Sequence, residues 1–320
     1  MADSALTQSA RSLLGRWLTQ RQREALAGYV FISPWLIGFL GLTLFPIGFS
    51  LVMAFMRWPA IGRPRWIALS NFQRMFSDGL VWHSLRVTLY YVVISAPLGV
   101  VIGLAIALLM NTKIPGVNVF RTAYYLPSLV TMAAQAVLWY YVFQPKHGLL
   151  NVALGWFGIR GPAWLASPSW VMPAFVIMGM WHVGGAMVTY LAGLQSVPTE
   201  MYESAKIDGA NLFQRLMRIT LPMISPVIFY NLIQRIIGCF QVFALAYMLF
   251  GGARGGDSAN PARHAAHFYM LYLYEKAFLL FEFGYASALA WFLFIIILAA
   301  TLLVFRSSSA WVFYQGELRE

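Results

Sequence analysis

The chain has 320 residues, of which 60% are hydrophobic and 10% charged, and its mean hydropathy is +0.67. Soluble domains run about 45–50% apolar and about 25% charged, so this composition excludes an ordinary soluble domain and a disordered chain and points to an integral membrane protein. A single cysteine, Cys239, excludes a disulfide-stapled module, and 22 basic against 11 acidic residues leave a net charge of +11. That charge is spread too thinly for a nucleic-acid surface and fits anionic lipid and membrane topology better.

Residues 1–28 carry Arg11, Arg16, Arg21 and Arg23 among Leu13, Leu14, Trp17 and Leu18. This is the pattern of an amphipathic helix on the cytoplasmic membrane surface. The apolar run after it is far longer than a signal-peptide core and has no small-residue cleavage site. Six stretches then reach the length needed to cross roughly 30 Å of hydrocarbon. They are Tyr29–Phe55, Leu85–Met110, Phe120–Phe143, Trp170–Leu194, Met223–Phe250 and Gly284–Phe305. Residues 29–305 therefore read as an all-α transmembrane domain, and residues 306–320 as a cytoplasmic tail. Prolines at Pro34, Pro46, Pro97, Pro127 and Pro173 are tolerated where neighbouring helices satisfy the freed carbonyls. Gly99, Gly103 and Ala107 form a small-residue stripe for close helix packing. With the amino terminus inside, Lys and Arg divide 11 inside to 10 outside, so bulk charge does not orient the chain. The four arginines before the first span favour a cytoplasmic amino terminus.

The loop 195–222 has the apolar content of an amphipathic helix, not of a span. Pro198 and Thr199 offer a helix start, and Glu200 and Glu203 sit where the helix dipole favours acids. Gly209 permits a sharp break before a second apolar face of Leu212, Phe213, Leu216, Met217 and Ile219. Such a helix–turn–helix suits a groove on a soluble partner, whereas an ordinary solvated connector would leave Glu203 free in water.

Glu203, Ser204, Ala205, Gly209, Ile219, Leu221 and Pro222 stand at the spacing of the signature of permease subunits of ATP-binding-cassette importers, with Ser204 where that signature has alanine. The segments at Tyr190–Pro198, Asn118–Val130, Gly148–Asn151 and Phe283–Ala290 also resemble the carbohydrate-uptake branch of that family. The resemblance covers about Tyr29 to Phe305. It implies a type I importer permease fold of about six transmembrane helices, with loop 195–222 as a cytoplasmic coupling helix. It also implies a second permease subunit, two ATPase subunits that bind ATP and Mg, an extracytoplasmic solute-binding protein, and a multi-pass place in the bacterial inner membrane. No cofactor or nucleic acid is expected on this chain. A cytoplasmic coupling loop again places the amino terminus inside, and the outer segments 57–84 and 250–282 become candidate surfaces for the binding protein.

No phosphate-binding glycine loop occurs, because Gly251–Asp257 ends in an acid where lysine must hold the phosphates. No catalytic grouping is present, so the chain reads as a non-enzymatic subunit. One charge sits deep in a span: Arg235, which must face a cavity or a partner rather than lipid. With Asn231, Gln234, Gly238 and Gln241 or Val242 it forms a polar stripe at helical spacing. Two roles are open to it. Lining the translocation path, its planar fork suits a carboxylate or phosphate, which makes an anionic sugar the expected cargo. Bonded to carbonyls or to a carboxylate of a partner, it would lock helices in a neutral-sugar importer. Trp181, His182 and Tyr190 are candidates for stacking on sugar rings. His264 and His267 are a weak metal pair, and Cys239 reads as packing. A secondary transporter would need an acid within the spans for ion coupling; none of the eleven acids lies there.

Overall fold

A computed structural model describes residues 19–59, 61–112, 114–250 and 261–313. The described residues begin with a long helix, α1, over Gln20–Ala54. Gln22 Oε1 accepts the Thr19 backbone N–H at 2.8 Å and closes its first turn. Pro46 has no N–H for a regular ladder, and the helix widens into a π turn at Phe39–Leu44 just before it. Residues 20–28 continue straight into this span, whereas Arg11 and Arg16 lie outside the described residues. A two-stranded hairpin follows, with β1 at Met56–Arg57 and β2 at Arg65–Trp66, then α2 at Ser70–Ser77.

Helix α3, Gly79–Met110, is the axis of the bundle. Its buried face includes Thr88, Tyr91, Ser95, Gly99, Gly103 and Ala107, residues three or four apart that fall on one side. Against it pack α7 (Pro168–Met180), α8 (Gly184–Gln195), α11 (Ser225–Phe240) and α14 (Tyr269–Tyr274). The last helix, α15 (Phe283–Ser308), packs on the end of α1 instead.

The six apolar stretches become four long membrane-crossing helices, Gln20–Ala54, Gly79–Met110, Ser225–Leu249 and Phe283–Ser308, plus one bent pair. In that pair α7 and α8 meet at 46° across residues 181–183. Gly184 explains the close approach at the bend, because a β-carbon there would lie 2.1 Å from the Tyr124 carbonyl oxygen. The third stretch, Phe120–Phe143, is not one helix. Helix α4 (Val117–Tyr125) gives way to a 3₁₀ turn at Leu126–Leu129 containing Pro127, then extended backbone at Val130 and Thr131, before α5 (Met132–Val142). Proline removes a ladder bond and disfavours α-helix at the residue before it, and apolarity alone cannot register either effect.

Between the bundle elements, α6 spans Leu149–Trp156. Helices α9 (Thr199–Ile207) and α10 (Leu212–Arg215) make the segment after the bent pair. Helix α12 (Ala244–Leu249) extends α11 beyond a break at residues 241–243, and α13 (Pro261–Ala265) precedes α14. Two buried clusters form. The larger joins Tyr91, Trp139, Phe143, Phe175, Phe240 and Phe268 with their neighbours; the smaller joins Ala107, Met187, Tyr190, Leu194, Val197 and Ile224 near α9 and α10.

Candidate translocation path and coupling segment

A cavity of about 470 Å³ opens between α3, α5, α7, α11 and α12. Its wall includes Asn231, Gln234, Arg235 and Gln241 from the polar stripe, with His182 from the break between α7 and α8. It also includes Tyr91, Gln135, Phe175, Cys239 and Phe243, which periodicity did not single out. Gln135 had a legible signal, since it is the only amide in Met132–Val142. Trp181, expected beside His182, is not on this wall. It turns to the larger core and meets Trp139 edge-on at 5.7 Å, as expected when a helix bend swings consecutive side chains apart. Tyr190 is fully buried in the smaller cluster with its hydroxyl unpartnered.

Arg235 sits in a slot made by two glycines. A β-carbon on Gly99 would lie 2.6 Å from its Nε, and one on Gly179 would lie 3.4 Å from its Nη2. Arg235 Nη2 donates to the Gly179 carbonyl oxygen at 2.9 Å. That carbonyl belongs to the last turn of α7, where the bend leaves helix carbonyls without intrahelical donors and the dipole favours a cation. No ion pair to Arg235 occurs among the described residues. Its Nε is buried without a partner, as are His182 Nε2 and Gln135 Oε1 on the same wall. Buried polar groups are ordinarily hydrogen-bonded, and these three residues of one cavity wall each keep a buried polar atom without a protein partner.

The segment 195–222 is built as two short helices around Gly209, whose φ of +77° is left-handed backbone. Ala210 N donates to the Ala205 carbonyl at 2.8 Å and Gly209 N to that of Lys206 at 3.1 Å, closing α9. Asn211 and Gln214 exchange side-chain and backbone bonds at 2.8 and 2.9 Å and start α10. Tyr202 meets Thr220 at 3.0 Å, and Ile219 and Leu221 pack on the smaller buried cluster; Pro222 stands in the turn that leads to α11. The outer faces stay bare: Ile207 is 87%, Leu212 78% and Phe213 67% exposed, beside exposed Glu203. Contiguous exposed apolar side chains rimmed by polar ones mark an interaction surface.

At the other end of α3 the elements are tied by charge. The Tyr285 hydroxyl donates to Asp78 Oδ2 at 2.8 Å, and Tyr272 bonds the same oxygen. Burial pushes the Asp78 carboxyl up, but these two hydroxyls and the Leu80 amide outweigh it and hold it below the usual carboxylate range. Arg74 pairs bidentately with Glu282 at 3.0 and 2.9 Å and lies over the Tyr285 ring. His264 stacks on His83 with ring centres 4.0 Å apart, and His267 bonds Glu275 at 3.1 Å. The two candidate metal histidines thus have separate partners, and no group of three potential ligands gathers among the described residues.

Residues 99–312 match the family described as binding-protein-dependent transport system inner membrane component. The chain belongs to that family. It is 38% identical to a probable ABC transporter permease protein, YesP, of Bacillus subtilis, over 92% of this chain and 94% of the relative. It is 31% identical to MalF, a trehalose/maltose transport system permease protein of Thermococcus litoralis, over 89% of this chain and 95% of the relative. Among solved structures it resembles a subunit of a bacterial ABC transporter involved in import of the acidic polysaccharide alginate. That likeness has a TM-score of 0.78 and 25% identity, over 90% of this chain and 96% of that one. The permease is thus a non-enzymatic inner-membrane subunit of the carbohydrate-uptake branch, with the type I importer fold, and the ATPase is a separate polypeptide.

Proposed function

We propose that this permease forms half of the translocation path of an ATP-driven importer for an acidic sugar or oligosaccharide, such as a uronic-acid oligomer or a sugar phosphate. The carrying observation is Arg235, held at one nitrogen by the Gly179 carbonyl and unpartnered at Nε, on a cavity wall that includes four amides and His182 but no acid. A carboxylate or phosphate on the cargo would supply an acceptor for this guanidinium on a wall without acids. The relatives' named cargoes, trehalose/maltose and alginate, span neutral and acidic saccharides and support a sugar of either kind. A second permease would complete the path, and a solute-binding protein would deliver cargo from the side opposite segment 195–222.

Coupling falls to Glu203, Ser204, Ala205, Gly209, Ile219, Leu221 and Pro222. The exposed Ile207, Leu212 and Phe213 would dock in a groove of an ATPase subunit that binds ATP and Mg, and the core-anchored Ile219 and Leu221 would carry the motion to α11. With that segment cytoplasmic and the broken stretch Phe120–Phe143 crossing as a fourth span, the four crossings before it put the amino terminus on the same side, in a bacterial inner membrane.

The Gly179 bond favours a second reading, in which Arg235 only caps α7 in a neutral-sugar importer. Uptake by the reconstituted importer of acidic and neutral sugars of equal length separates the two for Arg235→Met. The anionic reading expects the acidic sugar to lose more. Equal losses would leave Arg235 a structural cap.

A further inference from the structure

We propose a second saccharide subsite at the outer mouth of the path, which makes the permease a carrier of oligosaccharides longer than the central cavity holds. The inference rests on the acidic-cargo reading above and adds to it the length of the cargo and a second contact. A separate cavity of about 500 Å³ is lined by Tyr140, Phe143, Gln144, Lys146, His147 and Phe250, with other apolar residues filling its wall. Its lining combines aromatic, amide and basic side chains, and among the described residues no acid lines it. Sugar rings present apolar faces to aromatic side chains and hydroxyls to amides, and a lysine adds selection for a charged substituent.

Its position makes it part of a path rather than an isolated pocket. Helices α5 and α12 pack together and both cavities lie along them. The central cavity takes Met132 and Gln135 from α5 and Ala244 and Leu245 from α12. The outer one takes Tyr140 and Phe143 from the far end of α5, and Leu249 and Phe250 from the far end of α12. Five residues from Gln135 to Tyr140 correspond to about 7.5 Å along a helix, so the cavities follow one another in the same direction. That direction leads away from segment 195–222, because α7 starts beside Leu165 and Ala166 of the outer cavity and the bent pair runs from there to Gln195.

The basic rim is pre-built. Gly148 N donates to the Gln144 carbonyl at 3.0 Å and closes a turn too tight for a side chain, since a β-carbon on Gly148 would lie 2.3 Å from that oxygen. Asn151 then staples the turn. Its Nδ2 donates to the carbonyls of Pro145 at 2.9 Å and Pro162 at 3.0 Å, and its Oδ1 accepts from Trp164 Nε1 at 2.6 Å. Lys146 and His147 are therefore exposed side chains on a rigid loop, which lowers the entropic cost of holding a ligand.

The test is uptake by the reconstituted importer, with its binding protein, of uronic-acid disaccharide and tetrasaccharide and of neutral disaccharide and tetrasaccharide. Lys146→Gln should cut acidic tetrasaccharide uptake roughly tenfold at sub-saturating concentration, and at least a few-fold more than it cuts acidic disaccharide uptake. Tyr140→Ala should lower tetrasaccharide against disaccharide uptake for both charge classes. If Lys146→Gln and Tyr140→Ala reduce short and long sugars equally, there is no outer subsite, whatever Arg235 does. If the length effect of Tyr140→Ala holds while Lys146→Gln and Arg235→Met fail to separate acidic from neutral sugars, the outer subsite stands and the acidic-cargo reading falls. Asn151→Ala, which frees the rim without touching the lining, should reproduce part of the length effect.

Discussion

Replacing Gly99 by alanine tests whether the slot around Arg235 does what its geometry says. The new methyl would lie 2.6 Å from Arg235 Nε and 3.0 Å from Cζ and Nη2. Non-bonded heavy atoms rest comfortably near 3.5 Å, so the guanidinium must retreat by about 1 Å. Gly179 closes the other side of the slot, so the guanidinium has to leave it, and Nη2 gives up its 2.9 Å bond to the Gly179 carbonyl. A hydrogen bond to a charged group contributes about 1.5–3 kcal/mol, and alanine returns up to about 1 kcal/mol through helix propensity. The permease should therefore lose about 0.5–2 kcal/mol of stability, while preference for acidic over neutral sugar falls by roughly tenfold, the equivalent of about 1.4 kcal/mol. Thermal unfolding of the purified importer in nanodiscs reads the first quantity, and paired uptake assays read the second. Gly103→Ala is the control on the same stripe. Its β-carbon would lie 3.3 Å from the edge of the Tyr190 ring, which has only to give by a few tenths of an ångström. Retained stability and charge preference in Gly99→Ala, or an equally full loss of preference in Gly103→Ala, would refute this role for the slot.

Other outcomes follow from the same geometry. Gly184→Ala puts a β-carbon 2.1 Å from the backbone oxygen of Tyr124, where no side chain can swing away, so folded yield in the membrane should drop more than for Gly99→Ala. A well-folded Gly184→Ala protein would contradict the tight contact at the bend. Gly209→Val forces a β-branched residue into φ +77°, at a cost of about 1–2 kcal/mol in an exposed turn. Membrane insertion should persist while sugar-stimulated ATP hydrolysis falls, and normal stimulation would remove the turn from the coupling argument. Because the Asp78 pKa is depressed on folding, its contribution is complete above the ordinary carboxylate pKa of about 4 and is lost as pH falls through the folded value. Asp78→Asn should flatten the pH dependence of stability below about pH 4 and leave its shape between pH 5 and 8 alone. An unchanged acid limb would refute it.

Apolar periodicity and residue spacing were enough to reach the membrane class, the position of most spans, and the segment built on Glu203, Gly209 and Pro222, because these are local properties written over consecutive residues. The polar face of α11 was legible for the same reason: Asn231, Gln234 and Arg235 share a side of any helix through them. What that face meets was not legible. The carbonyl that Arg235 bonds lies 56 residues earlier, at the end of a helix whose bend depends on Gly184 approaching Tyr124. The same limit hid the role of Gly99, which looks like any small packing residue until α11 lays an arginine across it. It also misplaced Trp181, whose neighbour His182 alone reaches the cavity once the helix breaks. Asp78 stands about 200 residues before Tyr272 and Tyr285, and they meet only when α3, α14 and α15 close on one another. Sequence patterning determined which surfaces avoid water. Only the tertiary structure decided which buried polar groups remain without partners, because satisfaction of a hydrogen bond depends on atoms brought from elsewhere in the chain.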